Sequence, residues 1–91
     1  MNMDIKVKEF LGDMYGIEDA ILLREVIKNN LMSGITLDFE GFDRMPTTFL
    51  SCLFGDLINM FGRDYIFKQI NVKNLSNYAD YSRVVLGTAF N

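Results

Sequence analysis

The sequence predicts a small α/β domain, ordered β-α-β-α-β-α, with a mixed or parallel sheet and its helices mainly on one face. Three observations carry that expectation. Short stretches with an apolar residue at every second position begin near residues 3, 35 and 70. Between and after them run longer stretches with apolar residues at three- and four-residue steps, the helical period. Strands alternating with helices of this length pair through right-handed crossovers, which favours parallel neighbours.

The first strand is expected over Met3–Phe10, with Met3, Ile5 and Val7 on one face and Asp4, Lys6 and Lys8 on the other. Gly12 and Gly16 mark a loop. A helix follows from Glu18 to about Leu31, its stripe formed by Ile17, Ala20, Leu23, Ile27 and Leu31. Glu18 and Asp19 sit in its first turn, where negative charge meets the positive end of the helix dipole. Ile21, Leu22 and Val26 widen the apolar arc, so contact on more than one side of this helix is expected. Ile35–Glu40 alternates again, and Phe42–Pro46 is a connector. Thr47 or Thr48 is the expected N-cap of a helix that runs to about Phe61 and stops at Gly62. Arg63–Lys68 is compatible with a helical turn or a strand start. Ile70–Lys73 is the third strand, and Tyr78–Leu86 a last helix with Tyr81, Val84 and Val85 inward, before a tail at Gly87–Asn91.

Composition narrows the function classes. The 91 residues suit one domain spanning 1–91, and 49% apolar content supplies a core and argues against disorder. A net charge of −3 without a Lys/Arg cluster gives no footprint for nucleic acid. Cys52 is the only cysteine, so no internal disulfide can form. There is no His, which removes Cys/His zinc sites and His-based acid–base catalysis. No apolar run reaches the ~18–20 residues of a membrane span, and the N-terminal segment has no signal core. A cytoplasmic protein without a cofactor is expected.

All three strands alternate, whereas strands covered on both faces read as continuous apolar runs, so one sheet face is expected to stay open. Lys6 and Lys8 then share that face with Asp38 and Glu40, and each cross-strand pair favours the register by roughly 0.2–1 kcal/mol. The open face is solvated or meets another protein, a second copy included. Asp38, Glu40 and Asp43 have a geometry open to a metal or acid–base role, but no His, glycine-rich loop or basic clamp accompanies them. No metal site is expected there.

Read as a unit, ITLDFEGFDRMPTTFLSCLFGDLINMFG followed by IFKQINVKNLS resembles the STAS-like domains of small bacterial proteins, relatives of the anti-sigma-factor antagonists. The likeness rests on a D-F-x-G strand end, a hydroxyl-rich turn before F-L, a helix containing G-D-L, and N-L-S after the last strand. In the antagonists the turn reads Asp-Ser-Ser-Gly, and its second Ser is phosphorylated by a histidine-kinase-like ATPase. That turn falls on Pro46-Thr47-Thr48-Phe49, which makes Thr48 the candidate phosphoacceptor and Thr47 its neighbour. Pro46, Phe49 and the Thr-for-Ser change depart from the pattern.

The resemblance implies a non-enzymatic regulatory module that docks a protein partner, a histidine-kinase-like ATPase or another regulator. The contact residues would be Phe42, Asp43, Arg44, Met45, Pro46 and Ser51, with Thr48 as a switch. The alternative is a standalone inhibitor of phage or mobile-element type, which blocks a larger complex through the acidic surface of Asp38 and Glu40.

Overall fold

The computed structural model describes residues 3–87. At its centre is a three-stranded parallel sheet in the order β1-β2-β3, formed by β1 (Met3–Lys6), β2 (Ile35–Asp38) and β3 (Ile70–Lys73). The helices are α1 (Val7–Leu11), α2 (Ile17–Asn30), α3 (Thr47–Phe61), α4 (Arg63–Gln69) and α5 (Tyr78–Leu86), with a 3-10 turn at Leu31–Ser33. Both crossovers step the same way across the sheet, so right-handed connections bring their helices to one face. The register places Ile5 beside Leu37 and Leu37 beside Val72, and all three are buried. Onto this row pack Ala20, Leu23 and Ile27 from α2, and Phe49, Leu50, Leu53, Phe54 and Leu57 from α3. Helix α3 is the hub of the helical layer, touching α2, α4 and α5.

Three expectations change, and one open alternative is settled. The first strand ends at Lys6, and Val7–Leu11 forms a helical turn because Val7 and Leu11, one turn apart, both reach the core. The ambiguous stretch is helix α4, which buries Ile66. Pro46, not a threonine, is the N-cap of α3, and no side chain caps that end. Ile17, expected in the inward stripe of α2, is 46% exposed because it occupies the helix's first position, beyond the sheet's reach. Of the final helix, Tyr81 and Val85 are buried and Val84 is half-buried. The expected tail lies, past Gly87, outside the described residues.

The alternating face is open only at its edges. Asp4, Lys6, Asn71 and Lys73 on the outer strands are exposed, but Thr36 and Asp38 on the central strand are each 5% exposed. The register sets Asp38 between Lys6 and Lys73, and their longer stems flank it. On the helical side, the Tyr81 hydroxyl is the one buried side-chain polar atom, among the described residues, without a hydrogen-bond partner. Burial raises its pKa, and its ring packs edge-on against Phe54 at 5.1 Å.

Candidate functional site

The connector from β2 to α3 is built by three polar residues of the segment after β3. Asn74 donates to Asp38 Oδ1 at 2.8 Å, and Ser76 Oγ donates to the Asp43 carbonyl. Asn77 makes a paired contact with Met45: the Met45 N–H donates to Asn77 Oδ1 at 3.2 Å, and Asn77 Nδ2 donates to the Met45 carbonyl at 2.8 Å. A buried backbone donor and acceptor are thus both satisfied by one side chain. Arg44 reaches Asp80 at 3.0 Å, which ties the outside of the connector to α5.

The connector begins with a tight turn. The Phe42 N–H donates to the Phe39 carbonyl at 3.2 Å, and Gly41 sits at φ +100°. A positive φ at the third position is what a type II turn demands, and glycine supplies it without strain. Tyr15 backs the other end, its ring edge-on to Phe42 at 5.7 Å and to Phe49 at 5.2 Å. Its hydroxyl points at Met45 Sδ, 3.7 Å away. Held on both sides, the chain enters α3 with Pro46, Thr47 and Thr48 exposed.

At this helix start the first intrahelical bond is donated by Leu50 to the Pro46 carbonyl, at 3.1 Å. The N–H groups of Thr47, Thr48 and Phe49 are the ones an α-helix leaves without an intrahelical partner. Both threonine side chains therefore sit beside backbone donors at the positive end of a 15-residue helix. A cleft of about 200 Å³ opens next to them, lined by Tyr15, Gly16, Ile17, Pro46, Thr48 and Phe49.

The other expected contact residues divide. Asp43, Arg44 and Ser51 are exposed and Phe42 is half-buried. Met45 is fully buried and is unavailable to a partner; its side chain is part of the core that supports the turn. The acidic pair separates as well. Glu40 is exposed, while Asp38 is covered by its neighbours and consumed by internal bonds, accepting from Asn74, from the Glu40 N–H at 3.0 Å and from Lys6 at 3.5 Å. Asp38 therefore cannot serve as an acidic docking face. Lys8 does not pair with Glu40; it meets Asp13 at 3.2 Å and lies over the Phe42 ring at 5.0 Å. Among the described residues no three metal-ligating side chains gather, and no helix is long and apolar enough to cross a membrane.

Asp38 carries a pH dependence. The hydrogen bond from Asn74, then the Glu40 amide and Lys6, hold its carboxyl below the usual carboxylate range. Its folded-state pKa lies below the unfolded value of about 3.9, so its contribution is present above that value and is lost as pH falls through the folded one. Asp80 behaves with the same sign, lowered first by Asn77 and then by Arg44 and Arg83. Thermal melts at pH 7 and near pH 3 should show a drop in Tm for the natural sequence and a smaller drop for Asp38→Asn. Equal drops would show that Asp38 titrates alike in the folded and unfolded chains.

Comparison with known proteins agrees with this architecture. Residues 19–80 of the 91 match the model of the STAS-like domain of unknown function (DUF4325). The chain belongs to that family. The match takes in α2 from its third residue, β2, the connector, α3, α4, β3 and the start of α5, so both the hydroxyl turn and the polar segment that clamps it lie within it. No curated protein and no solved structure matches the chain. In this STAS-like domain, Tyr15, Asn74, Ser76 and Asn77 support the site and were not among the residues expected from sequence. Three of them sit in Asn74-Leu75-Ser76-Asn77, where so polar a run directly after a strand was the available signal.

Proposed function

We propose that this STAS-like domain is a regulatory protein-interaction module, docking a protein partner on the β2–α3 connector and the first turns of α3. The observation that supports the reading is the pair Thr47 and Thr48, exposed at the start of a long helix and not used to cap it. A cap would have explained two hydroxyls there. With Pro46 at the capping position, that explanation is gone.

Thr48 is the switch in this reading, and a histidine-kinase-like ATPase is the partner that the antagonist resemblance suggests. Transfer of the γ-phosphoryl group of ATP to Thr48 Oγ1 would release ADP and place about −1.5 to −2 charges at the helix start. The free N–H groups there stabilise such an anion, while Asp43 and Glu40 on the connector oppose it. The added charge also alters a surface that includes the apolar cleft, which is how it would govern docking.

Thr48→Asp should weaken partner binding about tenfold or more, and Thr48→Val should bind while refusing phosphate. Binding measured on the purified pair, with intact-mass analysis after ATP treatment, reads both. A Thr48→Asp variant that binds normally, together with no mass shift in the natural sequence, removes the switch.

A further inference from the structure

Helix α3 turns an unusual face to solvent. Exposed Thr48 and Ser51 and half-buried Gly55 lie along it, all small, with Cys52 at its margin packed against the core, on the side opposite the buried Phe49, Leu50, Leu53, Phe54 and Leu57. Gly55 is in mid-helix, with no positive φ and nothing within 4 Å of where a Cβ would stand. Neither its backbone nor its neighbours require glycine, and glycine in a helix interior weakens the helix relative to alanine. The missing side chain leaves room on the outside.

One wall of this lane is α2. The two helices run the same way: Ile17 meets Thr48 and Phe49 around the cleft at one end, and Arg24 bonds Asp56 at 3.0 Å further along. Ile17 and Ile21, 46% and 42% exposed and one turn apart, line that wall, and none of the described residues covers them. On the crest of α2 beside them stand Glu18 and Glu25, exposed and in no ion pair among the described residues. The lane is therefore smooth, apolar along one wall and acidic at its rim, with Arg24 neutralised by Asp56 and Lys28, at its far end, the one cation of α2 in no ion pair among the described residues.

Resting on the docking reading above, we propose that the lane over α3 receives an α-helix of the partner that is amphipathic and basic. Ile17 and Ile21 would meet apolar side chains spaced three and four apart, one of them seated in the cleft, and small residues allow the close approach that helix packing needs. Glu18 and Glu25 select lysine or arginine at the flanks. The same acids exclude an anionic membrane surface or nucleic acid. A second copy docking by its own lane would set these acids against their counterparts.

A labelled Leu/Lys amphipathic helical peptide of roughly 18 residues, with a Leu/Glu peptide of identical apolar face as its counterpart, tests this by fluorescence anisotropy. The Leu/Lys peptide should bind saturably and about tenfold or more tighter than the other. Gly55→Leu should leave the Tm of the free domain unchanged or raised yet weaken binding by a similar factor, because the added side chain fills the lane. Ile21→Ser, at a position 42% exposed, should weaken binding by a similar factor with only a modest fall in Tm. Glu18→Lys with Glu25→Lys should lose binding, while Asp4→Lys with Asp64→Lys, equal in net charge change but on other elements, should not. Equal binding of the two peptides, equal loss from the two charge reversals, indifference to both Gly55→Leu and Ile21→Ser, or occupation of the lane by a second copy would each overturn the proposal. If the true partner is lost on Thr48→Asp but kept by Gly55→Leu and Ile21→Ser, the docking turn stands and the helix is removed.

Discussion

Phe49→Ala should be the most damaging single change near the site. Phe49 is 1% exposed and holds the first turn of α3 against Tyr15, whose other edge contacts Phe42. Truncating a buried Phe costs about 3–5 kcal/mol, from lost transfer energy and from the cavity left behind. A domain of this size commonly has only ~5–15 kcal/mol of stability, and each kcal/mol moves Tm by roughly 4–8 °C. A fall in Tm of about 15–30 °C is expected, read by circular dichroism or calorimetry. Phe49→Leu, which keeps most of the volume, should lose far less. If the alanine variant melts within a few degrees of the natural sequence, Phe49 does not brace the turn.

Asn77→Ala is the second large effect, and it separates the clamp from the core. Its side chain satisfies both the N–H and the carbonyl of Met45, and it also donates to Asp80 at 3.1 Å. Removal leaves two buried backbone groups unpaired, each costing about 1–3 kcal/mol, so a total of about 2–6 kcal/mol is expected in urea unfolding at neutral pH. No large apolar group is lost, so the m-value should hold while the midpoint falls. The connector should loosen in the folded state, which amide hydrogen exchange at residues 42–45 would register as faster than in the natural sequence while the sheet amides hold. Unchanged stability would mean water replaces the side chain there.

What the sequence made legible follows from local periodicity. The stripe of Ala20, Leu23 and Ile27, the arc of Phe49, Leu53 and Leu57, and the short alternations at Ile35 and Ile70 each depend only on neighbouring residues. Those elements came out near their true limits, and so did the one-sided helical layer. Val7–Leu11 did not, because Val7 suits a strand's alternation and a helix's four-step equally well; only the buried position of Leu11 decides. The burial of Asp38 was hidden for another reason. Alternation assigns a face but cannot show that the central strand's short side chains lie beneath the lysines of its neighbours.

The site was half legible. The hydroxyl pair stood out, but its support is long-range: Asn74 is 36 residues from Asp38, and Asn77 is 32 from Met45. Met45 looked like a contact residue because connectors run over the surface, and it proved to be the connector's anchor. The threonines looked like caps because Ser and Thr favour that position, whereas proline set the helix start one residue earlier.

The most direct test of a docking surface at the start of α3 is site-specific photocrosslinking in the native cell. A photoreactive residue at position 48 should give a discrete protein adduct, and the same residue at position 64 or 68 on α4 should give none. Adducts from α4 alone, with position 48 silent while the protein remains folded, would contradict the account.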